Sequence, residues 1–136
     1  MISAYARAFA VLGEEKYLKL ALDALAFIQL NLWQDGVLLR SYRGGASSIK
    51  AFADDYTFLI TALLDVYEVS GDVSFLKWAF ELQGILDNQF WDDNNGGYFQ
   101  TSSLDHGILF RMKEEYDGAE PSPVCFPLSR ALLSHI

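Results

Sequence analysis

Apolar residues recur at steps of three and four positions along residues 17–32. They are Leu18, Leu22, Leu25, Ile28 and Leu32. This spacing places them on one face of an α-helix, so it predicts an amphipathic helix. From Tyr56 to Val69, apolar residues instead occupy nearly every position, which is typical of a helix buried on all sides. Together the two patterns predict two layers, in which buried inner helices alternate with amphipathic outer helices.

The chain also contains a weak internal repeat with an offset of 58 residues. The offset pairs Gly13 with Gly71, Trp33 with Trp91, and the aromatic-leucine-lysine triplet at 17–19 with that at 75–77. Each copy is predicted as a helix, a turn closed by glycine and a second helix. Glycine is favoured there because it adopts the left-handed conformation at a helix end without steric cost.

Turn residues follow both tryptophans. Asp35-Gly36 precedes Val37-Leu38-Leu39, and the six residues 92–97 (DDNNGG) precede Tyr98-Phe99, a short strand candidate. The sequence therefore predicts an all-α fold of helical hairpins with short β-hairpin excursions at one rim. The hairpins are expected at about 3–33 and 54–91, with a third beginning near residue 121.

Three strings carry a family resemblance: AFADDY at 51–56, WDDNNGGYF at 91–99 and EYDGAEPS at 115–122. With the hairpin arrangement, they resemble the spermatogenesis-associated protein 20 family of thioredoxin-domain-containing proteins, from residue 1 to about 123. The resemblance implies an incomplete α/α toroid similar to six-hairpin glycosidases and N-acylglucosamine epimerases. A thioredoxin-like domain precedes the toroid in that family and is absent here. We therefore expect residues 1–136 to be a partial toroid domain, a fragment of a longer protein.

The sequence departs from the family pattern after Ser122. Members usually continue with a small residue and Asn-Ser, whereas this chain has Pro123-Val124-Cys125-Phe126-Pro127. Pro127 would disturb the first turns of a helix. This departure puts the function of the third hairpin in doubt.

Three carboxylates are candidate catalytic residues: Asp54, Asp55 and Asp117. The first two precede the predicted buried helix, whose N-terminus would open into the cavity of a toroid. Carboxylates can act there as general acid or base on a sugar. The resemblance suggests that Asp117 faces the same cavity. The alternative is that the first pair caps the helix and that Asp117 belongs to a turn.

Four further residues are candidate ligand contacts: Tyr56, Tyr98, Arg43 and Glu120. The tyrosines lie at the proposed rim, where aromatic rings can stack on sugar faces. Arg43, like Arg40, lies in the first rim segment, where a solvated loop is the alternative. No metal site or cofactor is predicted, since His106 and His135 are far apart and Cys125 is the single cysteine.

The net charge of the chain limits the classes of partner that it can bind. With 18 acidic and 10 basic residues the net charge is -8, which disfavours nucleic acid, anionic membranes and anionic substrates, and leaves a neutral sugar or other small molecule open. No signal peptide is recognisable, and no uncharged run reaches the roughly 20 residues of a membrane helix. A soluble protein of a reducing, cytoplasmic compartment fits these features.

Two functions from different classes follow. In the first, the parent protein is carbohydrate-active, glycosidase- or epimerase-like or merely sugar-binding, and this fragment alone is inactive. In the second, the chain is a non-catalytic helical-repeat scaffold or protein-interaction module. A third possibility is a truncated gene product with no function of its own, whose exposed inner helices would favour self-association.

Overall fold

The computed structural model describes residues 1–45, 49–104 and 111–113. Within these ranges the chain forms four helices and one small antiparallel sheet. The helices are α1 (Ile2–Leu12), α2 (Glu15–Asn31), α3 (Ala53–Ser70) and α4 (Val73–Phe90), and the strands are β1 (Trp33–Gln34) and β2 (Val37–Leu38). None of the helices in this part of the chain is long and apolar enough to cross a membrane.

The same local geometry joins the helices of each hairpin. Gly13 ends α1 with φ 69° and Gly71 ends α3 with φ 70°. Each glycine donates its N–H to a carbonyl four residues earlier, that of Phe9 or Tyr67, at 2.8 Å in both cases. The prediction that both glycines end helices is confirmed, and the 58-residue offset relates two turns with the same φ angle and the same backbone hydrogen bond.

The rim segments differ between the copies. In the first, Trp33 pairs with Leu38 and Gln34 with Val37 around a tight turn in which Asp35 and Gly36 have positive φ. In the second, the expected strand at Tyr98-Phe99 is reduced to a single bridge between Trp91 and Tyr98. The longer loop explains the difference, because six residues separate these bridge partners and four separate Trp33 from Leu38.

Most of the core comes from the second hairpin. Helix α4 buries seven residues at three- and four-residue spacings, and α3 buries eight. Helix α1 buries one residue, Ala6, and α2 buries Ala21 and Leu25. Helix α3 is not buried on all sides as predicted, because Phe58 is 39% exposed. The side of α3 that carries Phe58 borders the cavity described next.

Candidate functional site

A cavity of about 630 Å³ opens between α1, α2, β2 and the first half of α3. Its walls are mostly apolar, with a few polar groups. The lining residues are Met1, Ile2, Ser3, Ile28, Leu32, Leu38, Leu39, Arg40, Asp55, Phe58, Leu59, Thr61 and Ala62. A concave apolar site with few polar groups is the usual form of a small-molecule site.

The charged end of the cavity is formed by Arg40 and Asp55. The Nη1 atom of Arg40 lies 3.9 Å from Oδ2 of Asp55, and the guanidinium lies 4.2 Å from the centre of the Phe52 ring. The Arg40 N–H donates to the carbonyl of Ile49, which holds the segment after β2 against the approach to α3. Arg40 and Asp55, which are 15 positions apart in the sequence, thus meet through this short backbone pairing. The two opposite charges leave this end of the cavity close to neutral.

Asp55 has two roles in one side chain. It is the third residue of α3, and its Oδ2 accepts a hydrogen bond of 2.9 Å from the N–H of Phe52, the residue that precedes the helix. This contact is the carboxylate half of a capping box. The same carboxylate lines the cavity and is 31% exposed. The capping alternative and the cavity-facing alternative therefore both hold for Asp55.

The other predicted carboxylates are placed differently. Asp54 is not among the residues that line the cavity, its Oδ1 is shielded from solvent, and its carbonyl accepts a hydrogen bond from the Thr57 hydroxyl. Asp117 and Glu120 lie outside the described residues. Of the three candidate catalytic residues, the structure places Asp55 at the cavity.

The two tyrosines predicted to bind a ligand are buried. The Tyr56 hydroxyl accepts a hydrogen bond from the Leu38 N–H, and its ring lies 5.4 Å from that of Phe90. Burial raises the pKa of Tyr56 above its ordinary value. The Tyr98 hydroxyl donates to Asp87 at 2.5 Å. These contacts tie β2 to α3 and the second rim segment to α4, so both tyrosines occupy structural positions.

Arg40, and not the predicted Arg43, lines the cavity. Arg43 is exposed, lies outside the cavity lining, and donates its N–H to the Gly45 carbonyl. Arg40 is the arginine that reaches Asp55. No pattern in the sequence distinguishes them, because the choice depends on how residues 38–40 pair with residues 49–51.

A second polar cluster, not predicted from sequence, fixes the other rim. Asp92 is buried, and its carboxylate accepts hydrogen bonds from the N–H groups of Asn94 and Asn95. Lys113 lies 2.6 Å from Asp92 Oδ2 and also donates to the Gly96 carbonyl. The lysine and these turn N–H groups hold the pKa of Asp92 well below its usual range.

The segment that carries Lys113 is held from both sides. Arg111 donates to the carbonyls of Thr101 and Gln89, and its guanidinium lies 4.2 Å from the centre of the Phe99 ring. The Met112 carbonyl accepts from Gln100, whose own carbonyl accepts from Ala53 at the start of α3. This cluster therefore positions the N-terminus of α3. The described part of the chain contains no group of three or more histidine, cysteine or acidic side chains arranged to hold a metal ion.

Comparison with known proteins places the chain among named relatives, although no family model matches it. Over 133 residues it is 36% identical to human spermatogenesis-associated protein 20 and 38% identical to the rat protein of that name. It is 42% identical over 129 residues to an uncharacterized protein of Caenorhabditis elegans. These matches cover 89–90% of this chain. The chain spans 17% of the length of each of these relatives.

Among solved structures, the fold is similar to that of a sugar epimerase from a ruminal bacterium. The TM-score is 0.61 at 20% sequence identity, over 90% of this chain and 30% of the epimerase chain. At this level of identity the likeness shows a shared helical fold and does not extend to activity.

Proposed function

We propose that this chain, which is similar over 90% of its length to human and rat spermatogenesis-associated protein 20, forms part of an α/α toroid whose cavity binds a neutral sugar. The single observation that carries the proposal is the Arg40–Asp55 pair at one end of a mostly apolar cavity. The helical fold shared with a sugar epimerase supports it. The activity and substrates of the longer protein are part of the same proposal.

The chemistry of the pair suits a neutral polyol. A carboxylate offers hydrogen-bond acceptors to neighbouring hydroxyl groups, and a guanidinium offers donors to hydroxyl or ring oxygens. Their charges offset each other, so a neutral ligand leaves neither charge unpaired when water is displaced. The exposed ring of Phe58 lies on the same wall and offers an apolar surface to the carbon-bound face of a sugar ring.

Catalysis requires more functional groups than binding does. Glycoside hydrolysis requires two carboxyl groups separated by about 5 to 10 Å. Among the described residues that line the cavity, Asp55 is the single carboxylate. We therefore propose Asp55 as the acid or base of any reaction in the longer protein and assign binding, not turnover, to the segment itself. The predicted contribution of Asp117 remains part of the proposal.

The test is isothermal titration calorimetry of the chain with neutral monosaccharides, including glucose, mannose and N-acetylglucosamine. We expect at least one sugar to bind and Asp55→Asn to weaken its binding about tenfold or more, since a hydrogen bond to a charged group contributes roughly 1.5–3 kcal/mol. Arg40→Gln is expected to weaken binding of the same sugar to a similar degree.

Two matched controls separate the cavity from its surroundings. Asp54→Asn makes the same chemical change one residue earlier, and Arg43→Gln makes it three residues beyond Arg40, both at side chains outside the lining. We expect each to leave binding within about twofold of the unaltered chain, an energy near the roughly 0.5 kcal/mol limit for substitutions outside key contacts. Equal losses from Asp54→Asn and Asp55→Asn would contradict the proposed site.

A scaffold or interaction module is the second candidate, and large apolar side chains exposed on the first hairpin favour it. They include Val11, Leu12, Leu20, Phe27 and Leu30. Large apolar patches exposed on a protein surface mark interaction sites, and several exposed apolar side chains on one hairpin favour such a patch. Absence of binding across the sugar panel, together with stable association with another protein chain, would favour this function over sugar binding.

A further inference from the structure

The cavity extends well beyond its charged end. Four residues of α3 line it, namely Asp55 and the residues three, four and seven positions later, which are Phe58, Leu59 and Ala62. Side chains at these steps share one face of a helix. At a rise of about 1.5 Å per residue, the cavity therefore follows α3 for about 10 Å. Asp55 and its partner Arg40 lie at the start of this length, so most of the wall lies farther along the helix.

The wall beyond the charged pair is apolar on its other sides as well. Ile28 and Leu32 line the cavity from α2, and Ile2 lines it from α1. All three are partly buried and pack against the hydrophobic core, which fixes their position. Among the described residues that line the cavity, Arg40 and Asp55 are the charged ones. The cavity thus has one charged end and a longer apolar part.

Two hydroxyl groups also belong to the lining, those of Ser3 and Thr61. The Thr61 hydroxyl donates to the Thr57 carbonyl at 2.9 Å, so its single proton is already used within α3. A second sugar ring in this part of the cavity would bury several hydroxyl groups against isoleucine and leucine. Burial of a hydroxyl group without a hydrogen-bond partner is unfavourable. The lining therefore favours an apolar group over a second sugar ring.

The size of the cavity indicates the same chemistry. Its volume of about 630 Å³ lies within the range of roughly 300–1,000 Å³ that is usual for sites of drug-sized ligands. A single sugar ring bound at the Arg40–Asp55 pair is smaller than such a ligand and leaves the apolar part to water. Displacement of that water by an apolar group is favourable in proportion to the area that becomes buried.

We propose that the cavity binds an amphipathic glycoside, a sugar that carries an alkyl or similar apolar substituent. The sugar lies at the Arg40–Asp55 pair, and the substituent lies along Ile28, Leu59 and Ala62. This inference rests on the proposed function, because it places a sugar at the charged end, and it adds the chemical class of the group attached to that sugar. Free monosaccharides are then weaker ligands than their alkyl glycosides.

The test is isothermal titration calorimetry of the chain with the methyl, butyl and hexyl glycosides of glucose, mannose and N-acetylglucosamine, each below the concentration at which it forms micelles. Each added methylene group should strengthen binding about fourfold until the cavity is full, a change that corresponds to about 0.8 kcal/mol per buried group. A butyl glycoside should therefore bind about tenfold tighter or more than the methyl glycoside of the same sugar.

Three variants assign this gain to the apolar part of the cavity. Ile28→Asn places an amide in the apolar wall and should lower the ratio of butyl to methyl affinity toward one. Leu30→Asn is the matched control, because Leu30 is 80% exposed on the same helix and lies outside the lining, so this ratio should not change. Asp55→Asn should weaken both glycosides by the same factor and preserve the ratio. Circular dichroism of each variant checks that the helices are retained.

The outcomes separate this inference from the proposed function. Methyl and butyl glycosides that bind equally well would overturn the inference and leave sugar binding in place. If no glycoside binds, the proposed function fails and the inference fails with it. Tighter binding of maltose than of butyl glucoside would show that a second sugar ring, not an alkyl group, occupies the apolar part. If 1-butanol binds as tightly as the butyl glycoside, the charged pair contributes nothing and the inference is wrong.

Discussion

The two helical hairpins share their local signals and differ in their surroundings. Both turn at a left-handed glycine, and both begin the second helix at the same repeat position, Glu15 or Val73. In the second hairpin, α3 and α4 pack against each other and also against the first, and together they bury fifteen residues. In the first, α1 and α2 bury three. The difference shows that repeat position sets the path of the chain while neighbouring elements set burial.

The rims differ in the same way. The first rim is a tight β-turn whose charged neighbour, Arg40, faces a cavity. The second is a longer loop closed by a buried ion pair between Asp92 and Lys113. The first rim thus borders a cavity, and the second holds the start of α3 in place.

The largest expected effect lies in the core of the second hairpin. Leu63 is completely buried in α3, so Leu63→Ala removes a packed side chain and leaves a cavity. We expect a loss of about 2–5 kcal/mol in the free energy of unfolding, measured by urea denaturation. Leu30→Ala in the first hairpin is the control, and it should change stability by no more than about 0.5 kcal/mol. Similar losses at both sites would mean that the burial difference between hairpins is not real.

The helix-ending glycines give the next effect, and they should behave alike. Both have φ near 70° and open space where a Cβ would lie. Gly13→Ala and Gly71→Ala therefore cost the strain of a left-handed alanine, about 1–2 kcal/mol each. Chemical denaturation measures both. A much smaller loss for Gly13→Ala would show that the first hairpin unfolds separately from the second.

A glycine-to-alanine substitution inside a helix provides the control for the two helix-ending glycines. Gly84 lies inside α4 with open space at its Cβ position. Gly84→Ala should stabilise the chain by about 0.5–1 kcal/mol, because alanine loses less backbone entropy than glycine on entering a helix. A loss at this position would contradict the assignment of the other two effects to the left-handed conformation.

The smallest effect concerns the helix starts. Asp72 accepts a hydrogen bond from the Ser74 N–H, which lowers its pKa, whereas Glu14, the matching cap, makes no such hydrogen bond. Asp72→Ala should lower Tm by a few degrees and Glu14→Ala by less. The stabilisation from a carboxylate with a lowered pKa is fully present above the unfolded pKa of about 3.9 and is lost as pH falls through the lower pKa of the folded state.

Thermal melts at pH 7 and pH 3 test the expected direction in which the contribution of Asp72 changes with pH. The gap in Tm between the unaltered chain and Asp72→Ala should narrow at the lower pH, since protonation removes the charged acceptor. A gap that is equal at both pH values would mean that the Asp72 carboxylate contributes nothing through its charge.

Local sequence chemistry determined much of this protein. Glycine at 13 and 71, acidic residues beside them and apolar residues at helical spacing determined where helices begin and end, because these effects act within one or two turns. The family resemblance carried by the strings at 51–56 and 91–99 agrees with the named relatives. The strand predicted at Tyr98-Phe99 failed in part, since the pairing there depends on a loop closed by Lys113.

Tertiary structure alone decided which side chains face the cavity. Sequence singled out Asp54 and Asp55 equally, yet neighbouring helix positions point about 100° apart, so one lines the cavity and the other does not. Sequence reasoning singled out Arg43 as a ligand contact, whereas Arg40 lines the cavity. It also placed Tyr56 and Tyr98 at the rim as ligand contacts, although both are buried. It also gave no sign that Asp92 and Lys113 pair. Contacts between distant residues follow from how the helices and rim segments pack, and no local pattern encodes that packing.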